Sequence, residues 1–133
     1  MRSRGLTHVA MSVPPGTLTD AWRADVVEFY GARLGWREID ELRLPDRLTF
    51  AVGRGTYVNI RERDEPMHAF GYEHMGVLVD SATAADELWN ELDAESRDVN
   101  LEPLTTSDDG YRSFRFRYQL PLAIEIQHFP PSG

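Results

Sequence analysis

Residues 73–77, EHMGV, repeat the pattern of residues 7–11, THVAM, at a distance of 66 positions. The same shift lays Phe116 on Phe50 and Ile124-Glu125-Ile126 on Val58-Asn59-Ile60. One offset that holds across three separated segments marks an internal repeat. Leu6 to Val13 reads as a strand closed by Pro14-Pro15-Gly16, and a helix follows. Thr19 or Asp20 caps that helix, Trp22, Val26, Phe29, Tyr30 and Leu34 recur at helical spacing, and Gly35 stops it. Three strands are predicted next, at Trp36 to Leu42, Leu48 to Val52 and Tyr57 to Arg63.

After a loop from Asp64 to Phe70 the order recurs. A strand from Glu73 to Val79 leads to a helix capped by Ser81, with Ala85, Leu88, Trp89 and Leu92 on one face. Strands at Asn100 to Thr105, Tyr111 to Tyr118 and Leu122 to Phe129 complete it. The fold class is therefore α+β, with two tandem βαβββ modules at about 5–65 and 71–130 in a single 1–133 domain.

Composition narrows the chemistry. The chain carries 14 cationic and 22 anionic residues for a net charge of −8, and every cation is arginine. With no cysteine there is no disulfide framework, thiolate nucleophile or cysteine-built metal site. With no lysine there is neither Schiff-base chemistry nor a P-loop lysine. A net negative chain without a basic cluster speaks against nucleic acid or an anionic membrane as partner. No apolar run reaches the ~20 residues of a membrane span, and the first residues lack the apolar core of a signal peptide, so a cytoplasmic location is expected.

Strand parity sorts the side chains into two faces. Val9, Met11, Val13 and Met75, Val77, Val79 should pack under the helices, as should Val58, Ile60, Ile124 and Ile126. The opposite face carries His8, Ala10, Ser12 and His74, Gly76, Leu78, with Tyr57, Asn59, Arg61, Arg63, Glu125, Gln127 and Phe129 from the last strands. Arg47, Thr49, Ser113, Arg115 and Arg117 share it. Small residues beside each histidine, Ala10 and Gly76, leave room for a ligand.

These residues resemble the vicinal oxygen chelate superfamily of glyoxalase I, fosfomycin-resistance thiol transferases, extradiol dioxygenases and bleomycin-binding proteins. The likeness spans nearly the whole chain and rests on the doubled βαβββ unit and the histidine of the first strand. It rests also on Phe29-Tyr30 followed by Leu34-Gly35-Trp36, on Glu73-His74-Met75, and on Ala123-Ile124-Glu125-Ile126. The resemblance implies a curled, open mixed sheet around a cleft that holds a divalent metal (Fe, Mn, Zn or Ni), and a homodimer. It puts His8, His74 and Glu125 at ligand positions and Asn59 at a fourth position or in contact with substrate. Two departures stand out: Tyr118-Gln119-Leu120-Pro121 replaces the family's Asp-Pro-Asp-Gly turn, and Asn59 stands where glyoxalase I has a glutamate.

Two imidazoles and one carboxylate leave metal positions open for a substrate chelating through two adjacent oxygens. The implied activity is that of a metal-dependent lyase, thiol transferase or extradiol dioxygenase acting on a small oxygenated molecule. The alternative is a non-catalytic protein that binds an antibiotic or metabolite, as bleomycin-resistance relatives do. Arg61, Arg115, Arg117, Tyr57, Gln127 and Phe129 are the candidate substrate contacts. If the arginines line the cleft the substrate is anionic; otherwise they reach solvent or pair with acids such as Glu62 and Asp64.

Overall fold

A computed structural model describes residues 1–69 and 71–131; Phe70, the end of the expected inter-module loop, lies outside them. The chain forms two compact units, Met1–His68 and Ala69–Gly133, called modules one and two below. Module one contains β1 (His8–Val13), α1 (Asp20–Leu34), β2 (Arg37–Glu38), β3 (Arg47–Gly53) and β4 (Thr56–Glu62). Module two contains β5 (His74–Leu78), α2 (Ala82–Asp93), β6 (Thr105–Thr106), β7 (Arg112–Phe116) and β8 (Ala123–His128). Each makes a four-stranded mixed sheet, in the order β1-β4-β3-β2 and β5-β8-β7-β6.

The 66-residue offset extends into the pairing. His8 lies opposite Tyr57 and Ala10 opposite Asn59 in the parallel β1–β4 pair. His74 lies opposite Ala123 and Gly76 opposite Glu125 in the parallel β5–β8 pair. The βαβββ order is the one read from the sequence, and both helix starts follow from side-chain capping. Thr19 Oγ1 accepts from the Trp22 N–H and Ser81 Oγ from the Ala84 N–H, satisfying donors that a helix start leaves open. Gly35 closes α1 at φ 69°, where a Cβ would be strained, with its N–H on the Gly31 carbonyl.

The helix-side faces form the cores. In module one, Val26, Phe29 and Tyr30 of α1 are fully buried, as are Leu48, Phe50 and Ile60 of the sheet. The Tyr30 ring stacks on Trp36 at 5.0 Å and meets Phe50 at 5.9 Å. In module two Ala85, Leu88 and Leu92 of α2 are buried along with Phe114, Phe116, Ile124 and Ile126. Burying each large apolar side chain contributes roughly 1.5–3 kcal/mol.

Three expectations are corrected. The strand expected at Trp36 to Leu42 pairs only at Arg37–Glu38; after the Ile39 N–H reaches the Thr49 carbonyl, the chain turns through a 3-10 helix at Asp40–Leu42. The strand expected at Asn100 to Thr105 survives only as Thr105–Thr106. There Asn100 takes φ 48° and Pro103 has no N–H, so the segment follows β7 through single bonds, Glu102 N–H to the Arg115 carbonyl and Arg117 N–H to the Val99 carbonyl. On α1, Arg23 rather than Trp22 takes the inward position of the first turn. Its guanidinium donates to the Leu18, Leu44, Pro45 and Arg47 carbonyls, which is what lets a charged group be buried.

Candidate functional site

In module two the structure brings His74 and Glu125 together. They sit two register steps apart on neighbouring strands and on the same face, and His74 Nε2 is 3.9 Å from Glu125 Oε2. His74 Nδ1 bonds the Tyr72 carbonyl at 2.5 Å. A carbonyl only accepts, so Nδ1 carries a proton, and Nε2 is the ring nitrogen that faces the carboxylate. Metal-bound histidines are held this way, with the second ring nitrogen tied to a backbone carbonyl or carboxylate. Gly76 stands opposite Glu125, and a Cβ there would come within 3.1 Å of the Gln127 amide oxygen.

A cavity of about 460 Å³ opens over this pair, with Tyr72, Glu102, Ser113 and Arg115 also on its walls. Arg115 pairs directly with Glu125 in the β7–β8 ladder, where opposite charges ordinarily attract. Its guanidinium instead holds Glu102, with Nε and Nη2 each 3.0 Å from a carboxylate oxygen, and lies 5.9 Å from the Tyr72 ring centre. Among the described residues the Glu125 carboxylate is thereby left without an arginine partner.

Module one treats its histidine differently. The His8 ring stacks on its register partner Tyr57, centre to centre 4.7 Å and nearly parallel, and Nδ1 bonds the Thr7 hydroxyl. Nε2 has no partner among the described residues, so both repeat histidines commit Nδ1 locally. Asn59 and Arg61 line a separate cavity of about 430 Å³.

The remaining sequence candidates lie elsewhere. Arg117 donates to the Ala69 carbonyl at 3.1 Å. The Gln127 amide reaches the Tyr111 hydroxyl at 3.4 Å, and the half-exposed Phe129 ring contacts Tyr111. Among the described residues no group of three or more His, Asp or Glu side chains is gathered to hold an ion. His74 and Glu125 supply two donors of a fitting type, one imidazole nitrogen and one carboxylate. Sequence reasoning missed Tyr72 and Glu102. Tyr72 acts through its backbone, which no side-chain pattern reports, and Glu102 lies in the segment misread as a regular strand.

Away from this pair, Glu62 at the end of β4 accepts from the Leu18 N–H at 2.9 Å and from the Gly16 N–H. These bonds favour the ionised form and hold its carboxyl below the usual carboxylate range.

No family model and no curated protein matches the sequence. Solved structures do match in shape. The fosfomycin resistance protein FosX from Listeria monocytogenes superposes with a TM-score of 0.67 at 22% identity, over 97% of this chain and 95% of that one. Lactoylglutathione lyase from Agrobacterium tumefaciens gives 0.68 at 16% identity, over 96% of both chains. A glyoxalase/bleomycin resistance protein/dioxygenase from Nocardioides gives 0.65 at 18% identity, over all of this chain and 89% of that one. FosX has been crystallised with Mn(II) and sulfate, and a FosX variant with Mn(II) and 1S,2S-dihydroxypropylphosphonic acid. The doubled βαβββ chain described above therefore has the fold of the vicinal oxygen chelate superfamily.

Proposed function

We propose that this chain is a metal-dependent enzyme acting on a small oxygenated, anionic molecule that chelates a divalent ion through two adjacent oxygens. His74 and Glu125 are two ligands in this reading, and His8, the equivalent residue of module one, is the third. The observation that carries it is the 3.9 Å approach of His74 Nε2 to a Glu125 carboxylate that has no arginine partner among the described residues. A divalent ion supplies Lewis acidity, stabilising negative charge that develops on the bound oxygens.

The chain's own residues prepare that site. The Tyr72 carbonyl holds His74 in the tautomer that exposes Nε2. Gly76 keeps the strand beside Glu125 free of a side chain. Glu102 occupies Arg115, so that no guanidinium competes for Glu125. The lyase in the structural comparison and the FosX complexes with Mn(II) support the class; the reaction within it is open to lyase, thiol-transfer and dioxygenase chemistry.

Calorimetric titration of chelator-stripped protein with Mn(II) tests the reading. Saturable binding is expected. In His74→Ala and Glu125→Gln it should weaken by more than the roughly 10–100-fold lost when only an outer hydrogen-bond partner of a ligand is removed. Equal affinity in both variants overturns it, and tight binding of an antibiotic or metabolite that persists in chelator would favour sequestration.

A further inference from the structure

We infer that the cavity of module one is a subsite for the anionic group of a small molecule, with Arg61 and Arg63 as its anchors. This deepens the proposed function by naming a substrate class and where it is held.

Equivalent positions of the two modules differ in charge. The 66-residue offset sets Asn59, Arg61 and Arg63 of module one against Glu125, Gln127 and Phe129 of module two. Module one has thus exchanged the carboxylate for a neutral amide and added two guanidinium groups. The cations of the second sheet are already engaged: Arg115 with Glu102, Arg112 with Asp86 at 2.9 Å, and Arg117 with the Ala69 carbonyl.

Those of the first cavity are held more loosely. Arg61 approaches Asp46 only to 3.7 Å, in a pair exposed enough to hold little energy. The side chains of Arg63 and Asn59 have no partner among the described residues. Ser12 Oγ accepts from the Met67 N–H at 2.7 Å, which leaves its own O–H free to donate. The walls therefore offer two guanidinium groups, an amide NH₂ and a hydroxyl, against one carboxylate, Glu65.

The excess of open donors on these walls favours an anion over a neutral guest. The planar guanidinium fork suits carboxylate, phosphonate or phosphate. Ala10 and Met67 supply an apolar side for a short alkyl part, and about 430 Å³ suits a small molecule.

The test is an NMR titration of the full chain, freed of metal, following the Asn59 side-chain amide with methylphosphonate, acetate and the neutral ester dimethyl methylphosphonate as probes. Saturable shifts are expected with methylphosphonate or acetate, and the stronger of the two names the anion class. Affinity should fall about tenfold or more in Arg61→Gln and in Arg63→Gln, and stay unchanged in Arg54→Gln, which removes an arginine outside the cavity. Non-saturating shifts with both anions, unchanged affinity in both cavity variants, or equal binding of the neutral ester would overturn the inference. Because no metal is present, failure here leaves the Mn(II) result standing, and failure of the Mn(II) titration leaves this one standing.

Discussion

Arg115 faces Glu125 across the β7–β8 ladder but spends its guanidinium on Glu102, both contacts being 3.0 Å. Glu102 thus acts as a decoy that keeps Arg115 off Glu125, a ligand in the proposed site. In Glu102→Gln the arginine loses its carboxylate and turns to Glu125, the nearest one on its ladder. Mn(II) affinity should fall roughly 10–100-fold, the cost of disturbing a ligand's surroundings. Folding stability should change by less than about 1 kcal/mol, since the pair is partly solvent-exposed. Calorimetry and urea denaturation on the same variant separate the two effects; unchanged Mn(II) affinity would show that Arg115 does not compete for Glu125.

Glu62 makes stability depend on acid. Two backbone N–H groups lower its folded pKa below the ordinary 4.5, so the folded state favours the carboxylate. The contribution is fully present above the unfolded pKa and is lost as pH falls through the lowered folded value. Glu62→Gln should therefore be less stable than the parent at pH 7, with the gap shrinking as pH drops below about 4.5. Urea midpoints at pH 7 and pH 3 check this, and a gap that stays constant would remove Glu62 as the cause.

Much of this architecture is legible from one shift of 66 residues. That offset sets β1 against β5 and β4 against β8, and the strand pairing repeats under it, with Gly76 beside Glu125 as Ala10 is beside Asn59. Caps at Thr19 and Ser81 are legible for the same local reason, a short side-chain oxygen before a helical pattern. Parity, however, fixes a face and says nothing of where a long side chain ends. Arg61 and Arg115 have the same strand parity in the sequence, but one edges a cavity beside Asp46 and the other is captured by Glu102. Those acids sit outside the regular strands, where no periodicity locates them. Arg23 hides for a related reason: its burial depends on four carbonyls brought up by loops.

Phe50 and Phe116 occupy equivalent core positions, both essentially inaccessible to solvent. Phe50 sits within an aromatic group with Tyr30 and Trp36, at 5.9 and 5.6 Å. Truncating it removes a large apolar side chain from a site that rigid neighbouring rings cannot easily refill. Phe50→Ala should cost about 3–5 kcal/mol by urea denaturation. A cost under about 1 kcal/mol would mean that the cavity collapses without penalty.

Thr49 offers a change of opposite sign. It lies opposite Asn59 in the β3–β4 ladder, is fully buried, and its hydroxyl oxygen has no hydrogen-bond partner among the described residues. A buried polar group left unsatisfied costs about 1–3 kcal/mol, whereas a methyl of similar size carries no such penalty. Thr49→Val keeps the β-branched shape that suits a strand. It should raise stability by about 1 kcal/mol, read as a higher urea midpoint at unchanged slope. Thr49→Ala loses volume whatever the hydroxyl does, so valine is the discriminating substitution. If valine instead lowers stability by about 1 kcal/mol, the hydroxyl is hydrogen-bonded in solution, and water held between Thr49 and Asn59 becomes the reading to pursue.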